Sequence, residues 1–157
     1  MNPAEEIVRY WLQEKGYFVQ SSIQLGRKEI DLLAIHNKDK NDRRHIEVSV
    51  SIRMVDPKNT AKSWVRNYEE NKMRDRRVET EVRKRFNSRK YAREVVVGDV
   101  KLKKKASFRE LKEEFRKRNI KAYYFGDILN EITPSLKRGM SLNPIIKSLQ
   151  LYRRFNS

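Results

Sequence analysis

The sequence predicts an α/β fold: a mixed β-sheet flanked by helices, in the order α-β-β-β-α-β-α-β-α. Two observations carry that prediction. Runs rich in Ile, Leu and Val at 29–35 and 46–52 flank a polar loop holding Asn37, Asp39 and Asn41, the pattern of a β-hairpin. Beyond the hairpin, stretches with helical spacing of apolar residues alternate with short β-branched runs, the pattern of strands joined by helices. At 157 residues the chain is long enough for one domain with a sizeable core.

The first helix is expected over 3–15. Pro3 suits its first turn, Glu5 and Glu6 suit the positive end of its dipole, and Ile7, Val8, Trp11 and Leu12 share one face. Gly16 then ends it as a C′ residue. Residues 17–23 form a first strand and Gly26 turns the chain into the hairpin. Asp56-Pro57 reads as a cap and first position of the next helical region. Its apolar stripe through Ala61, Trp64, Val65 and Tyr68 loses phase at 69–77 and resumes at Val78, Val82 and Phe86, so a kinked helix or two helices in series follow. A buried strand spans 94–100, centred on Val95, Val96 and Val97. Ser107 and Glu110 form a capping box for a helix that buries Phe108, Leu111 and Phe115. Residues 120–125 form another strand, Gly126-Asp127 a turn, 128–132 a short helical piece, and Asn143-Pro144 opens a last helix.

Composition narrows the chemistry. Without cysteine there are no disulfides, thiolate metal sites or cysteine nucleophiles, and two histidines, His36 and His45, are too few for a zinc site built on imidazole. Both are expected at strand ends in contact with solvent. No apolar run is long enough to span a membrane, so a soluble, cytoplasmic protein is expected. The net charge is +16, and it is concentrated: residues 53–118 hold 23 basic and 11 acidic residues, while 1–52 are balanced. Such a field attracts a polyanion, with nucleic acid, DNA in particular, as the default partner. The residues expected to meet it are Arg66, Lys72, Arg74, Arg76, Arg77, Arg83, Lys84, Arg85, Arg89 and Lys90, together with Lys103, Lys104 and Lys105 in a basic connection. A solvated face partly paired with Glu69, Glu70, Glu79 and Glu81 is the alternative. Stacking of nucleobases on Trp64, Tyr68, Tyr123 or Tyr124 competes with a core role for those rings.

Inside the hairpin two acids stand in hydrophobic runs. Asp31 has Leu33 and Ile35 as same-face neighbours, and Glu47 faces away from Ile46, Val48, Val50 and Ile52. Burying a lone carboxylate is costly, and two together raise each other's pKa unless a positive charge lies between them. A divalent cation held by hard oxygens, Mg2+ rather than Zn2+, answers both requirements, against the simpler account that the acids lie on a solvated face.

Glu5 on the first helix, Glu-Ile-Asp-Leu-Leu-Ala-Ile at 29–35 and Ile-Glu-Val-Ser-Val at 46–50 together resemble the PD-(D/E)xK nuclease superfamily. This is the restriction-endonuclease-like fold, shared with archaeal Holliday junction resolvases. The resemblance implies a single nuclease-like domain over 1–157, with its core at 3–126 and a helical extension at 127–157. It implies an endonuclease that hydrolyses phosphodiester bonds in DNA, branched or junction DNA included, with Mg2+ or Mn2+ as cofactor. Carried over, Asp31, Glu47 and the carbonyl of Val48 hold the metal, Glu5 adds a direct or water-mediated ligand, and Ser49 occupies the position of the signature lysine. A homodimer would suit an enzyme cutting both strands. Two departures stand out: Ile30 replaces the signature proline, and Ser49 supplies no positive charge. Lys28, Arg53 and Lys62 are candidates for a cation recruited from elsewhere. A catalytically inactive nucleic-acid-binding protein on the same fold is the alternative reading.

Overall fold

The computed structural model describes residues 2–54, 60–102 and 108–138, with side chains at 2–50, 60–98 and 108–134. The Asp56-Pro57 cap, the Lys103 to Lys105 cluster, the Ser107 cap and the helix expected from Asn143 lie outside these residues, as does the side chain of Arg53.

Helix α1 (Pro3–Glu14) is held at its start by a reciprocal capping box between Asn2 and Glu5 and ends before Gly16, whose φ of 91° only glycine adopts freely. Strands β1 (Tyr17–Leu25), β2 (Lys28–His36) and β3 (Arg43–Met54) form an antiparallel meander. Strand β4 (Ala92–Leu102) pairs parallel to β3, and β5 (Ile120–Tyr124) parallel to β4. The sheet order is β1-β2-β3-β4-β5, a mixed five-stranded sheet that agrees with the restriction-endonuclease-like layout expected from the sequence.

Between β3 and β4 run two helices in series, α2 (Ala61–Tyr68) and α3 (Arg76–Phe86), joined by a π-helical turn at Glu69–Met73. The slip of phase in the sequence is this turn: its wider winding lets Val65, Glu69 and Met73 all point inward, so a buried acid keeps place in an apolar row. Helix α4 (Phe108–Lys117) precedes β5, and α5 (Phe125–Arg138) follows it. The Gly126-Asp127 turn is thus corrected: both residues lie in the first turn of a helix that starts directly at the strand end.

Helices α1 and α5 cover one face of the sheet, around Leu32, Ala34, Ile46 and Val96. On the other face, α2 and α4 pack over Val95, Val97, Ile120 and Ala122, and α3 packs over Ile23, Ile30 and Leu33. Ile30 and Leu33, three residues apart, share a cluster, which strict alternation along a strand forbids. The break falls at Asp31. Opposite it in register, Ser22 has a φ of 53°, and the β1–β2 ladder skips that one pair between Ser21↔Leu32 and Ile23↔Ile30. Asp31 therefore sits at a seam, where the hairpin passes from cover by α1 to cover by α3.

Candidate functional site

The β2–β3 ladder covers only Leu32↔Ile46 to Ile35↔Arg43. Beyond Ile46, β3 follows β4, and the two hairpin strands part company. In the opening, side chains replace the missing ladder bonds. The Asp31 N–H donates to Glu47 Oε2 at 2.8 Å, and the Val48 N–H donates to Asp31 Oδ2 at 2.9 Å. The parting of the strands thus leaves two backbone donors, and two carboxylates from adjacent strands satisfy them.

This crosswise bonding uses one oxygen of each acid. Glu47 is fully buried, and among the described residues its Oε1 has no hydrogen-bond partner. The nearest basic nitrogen, His45 Nε2, lies 3.8 Å away, beyond hydrogen-bond length. Burial pushes Asp31 up to about 7, with help from Glu47, against the pull of the Val48 N–H and Lys72. Glu47 is likewise raised to about 7 by burial, opposed by the Asp31 N–H and by Lys72. The solvated-face account of these acids does not hold: Asp31 is 9% exposed and Glu47 0%.

Glu5 reaches the same place from the start of α1. Its carboxylate accepts from Asn2 Nδ2 at 2.9 Å and from the Asn2 N–H at 3.3 Å. The capping role and the site role therefore coincide in one buried side chain, raised by burial and by Asp31. Carboxylate oxygens of Glu5, Glu29 and Asp31 lie within 4.8 Å of one another, a spacing that one cation can bridge. Glu29 was missed in the sequence. Its signal was its place two residues before Asp31, but a strand-end Glu beside Gln24, to which it is bonded at 2.8 Å, reads equally as a surface pair.

Ser49 is half-buried one same-face step beyond Glu47, opposite Val97. Val48 meets the site through its N–H. Among the cations considered for recruitment, Lys28 is already engaged: its Nζ lies 2.6 Å from Asp75 Oδ2 and 3.2 Å from the Asn71 carbonyl. Lys62 is exposed on α2. The charge felt by both Asp31 and Glu47 is that of Lys72, in the π-helical turn.

His45 is corrected. It is fully buried with neither ring nitrogen bonded, because β3 is hydrogen-bonded on both sides there, to Leu33 and to Arg93. Burial, with the Arg93 charge, pushes its pKa down to about 3, so the ring is neutral. His36 is partly exposed at the end of β2, as expected.

The basic stretch divides. Arg74, Arg83 and Arg85 pair with Glu69, Glu79 and Glu81. Arg66, Lys72, Arg76, Arg77, Lys84, Arg89 and Lys90 are exposed, and none makes an ion pair within 4.0 Å among the described residues. The rings expected either to stack bases or to pack are packed. Trp64 stacks on Tyr68 at 5.0 Å, Tyr123 meets Trp11 edge-on at 5.3 Å, and Tyr124 lies 5.4 Å from Phe108.

No family model matches the chain, and no curated protein matches its sequence. Among solved structures it is similar to the crystal structure of AF1548, a protein of unknown function. The identity is 14%, the match covers 85% of this chain and 67% of that one, and the TM-score is 0.49. No helix among the described residues is long and apolar enough to cross a membrane.

Proposed function

We propose that this protein is a divalent-metal-dependent nuclease that hydrolyses phosphodiester bonds in DNA. The observation that carries the reading is the buried Asp31–Glu47 pair, bonded crosswise to backbone N–H groups, with Glu47 Oε1 left unpartnered. A buried oxygen without a donor is rare and calls for a partner. The carboxylates gathered at the seam, Glu5, Glu29 and Asp31 beside Glu47, offer hard oxygen ligands of the kind that suit Mg2+ or Mn2+. Asp31 and Glu47 would hold the ion, with Glu5, Glu29 and the Val48 carbonyl as further oxygen ligands. When bound, it would supply Lewis-acid stabilisation of the phosphate and a water of lowered pKa.

The chain's own residues do the rest. Asp31, anchored by the Val48 N–H, keeps Oδ2 fixed and so fixes the direction of its carboxylate. The Asn2–Glu5 box holds Glu5 against the seam rather than in solvent. Ser49 offers a hydroxyl that hydrogen-bonds a water but carries no charge. The unpaired cations of α2 and α3 meet backbone phosphates, which positions DNA without reading its sequence. Cleavage of linear, flapped and four-way DNA with Mg2+ or Mn2+, by wild type and by Asp31→Ala, tests the reading. No cleavage above the Asp31→Ala background would overturn it.

One observation favours a second reading, that of a nuclease fold that binds nucleic acid without cutting it: β3 carries Ser49 where the signature carries its lysine. Binding that falls steeply with salt and ignores both Mg2+ and Glu47→Ala would identify it.

A further inference from the structure

We infer that Lys72, on the π-helical turn, is the catalytic cation of this site and meets the scissile phosphate beside Asp31 and Glu47. The inference rests on the nuclease reading and gives Lys72 a role other than tracking the DNA backbone.

The placement follows from the winding of the chain. The π-helical turn Glu69–Met73 packs against β3, the strand that carries Glu47 and Ser49. Glu69 and Met73 point inward, and Tyr68 stands immediately before them; burial, with the charges of Glu47 and Asp31, raises its hydroxyl well above the usual range. In a π-helix, as in an α-helix, residues four apart lie nearly one above the other, so Lys72 projects from the same side as Tyr68, one turn further on. The end of the turn is pinned to the hairpin. Lys28 of β2 bonds the Asn71 carbonyl, the residue next to Lys72, and clamps Asp75 at the start of α3.

Lys72 has the properties the position requires. It is exposed, and among the described residues no carboxylate lies within 4.0 Å of its ammonium, so the charge is neither neutralised nor buried. The cations around it are committed: Arg74 holds Glu69 at 3.1 Å, and Lys28 of β2 holds Asp75. The Lys72 charge lowers the pKa of both acids. Its role is electrostatic and not that of a general base. It offsets negative charge growing on the phosphate oxygens, which a serine hydroxyl at 49 cannot do.

The test uses the full chain, as wild type, Lys72→Met, Lys72→Arg and the double variant Lys72→Met/Ser49→Lys. Each is assayed for Mn2+-dependent cleavage of a branched DNA, DNA affinity, thermal stability and Mn2+ affinity by calorimetry. Lys72→Met is expected to lower kcat by about 100-fold or more, with KM within about threefold, whereas loss of a backbone-tracking cation would raise KM alone. Lys72→Arg should retain part of the activity, and a lysine at position 49 should recover about tenfold of the loss by returning the charge from the other side. Without the repelling ammonium, Lys72→Met should bind Mn2+ about threefold more tightly or better. Wild-type kcat in Lys72→Met, or an unchanged Mn2+ affinity, would overturn the inference and leave the nuclease reading standing. If wild type cleaves no better than Asp31→Ala, the nuclease reading itself falls and the catalytic role of Lys72 falls with it.

Discussion

Two pairs of buried carboxylates in this molecule are treated in opposite ways. Glu69 receives Arg74 Nε and Arg118 Nη1, each at 3.1 Å, and Glu94 receives Arg44 Nη1 at 3.2 Å and the Tyr123 hydroxyl at 2.9 Å. Among the described residues Asp31 and Glu47 receive backbone N–H groups and no guanidinium, although the chain carries 37 basic residues. Arginines are spent on acids that hold helices and strands together, and the acids at the seam are left without one. An ion-paired carboxylate is structural and closed. One held only by neutral donors keeps unsatisfied negative potential, which a cation from solution can meet.

The comparison breaks first at catalysis. Asp31→Ala and Glu47→Ala should each lower metal-dependent cleavage by about 1000-fold or more while DNA affinity at fixed salt changes little. Glu69→Gln should leave cleavage within a few fold; equal loss in both sets of variants would erase the distinction.

Stability should move in opposite directions. Glu69→Gln removes the partner of two guanidinium groups and should destabilise the fold by about 2–3 kcal/mol in urea unfolding at pH 7. Asp31→Asn should stabilise the metal-free protein at pH 8 by about 1–3 kcal/mol. The sign follows from the raised pKa values of Asp31 and Glu47, from the ordinary carboxylate range to about 7. Folding favours their protonated forms, so their contribution is most favourable below about pH 4 and is lost as pH rises through about 7. The gain in Asp31→Asn should therefore vanish near pH 4, and a gain independent of pH would contradict the assignment.

A smaller effect sharpens the same point. Mn2+ at tenfold its dissociation constant should stabilise the wild type by about 1.4 kcal/mol at pH 8. At pH 5, where protons compete for both carboxylates, melting curves should show a much smaller gain. The smallest effect belongs to the surface. Lys84→Ala or Arg89→Ala should each reduce the salt slope of DNA binding by about one unit or less, whereas Arg83→Ala, whose charge is shared with Glu79, should change it less.

Much of this was legible in the chain. The Pro3–Glu5 start of α1, the two hairpin strands and the Val95–Val97 strand follow from local rules of helix initiation and β propensity. Asp31 and Glu47 were legible because an acid inside an apolar run breaks its own pattern. His45 was not, since its burial depends on β4 arriving as a parallel neighbour from about 50 residues away. Glu29 looked like a surface residue because the fault at Ser22 that turns the hairpin leaves no local mark. Lys72 was grouped with the other cations because periodicity counted as α-helical loses track of direction where the winding changes.

That last failure has an evolutionary side. A π-helical turn holds about one more residue than an α-helical one, so a single inserted codon is enough to create it within a helix. Removing one codon between 69 and 71 would let α2 run on as an ordinary helix and swing the residues beyond the deletion by about 100°. Lys72 would then leave the side it shares with Tyr68 with no amino acid type exchanged. In this lineage a charge can be gained or lost at the seam by a change in length alone, which a comparison of residue identities, column by column, would record only as a gap.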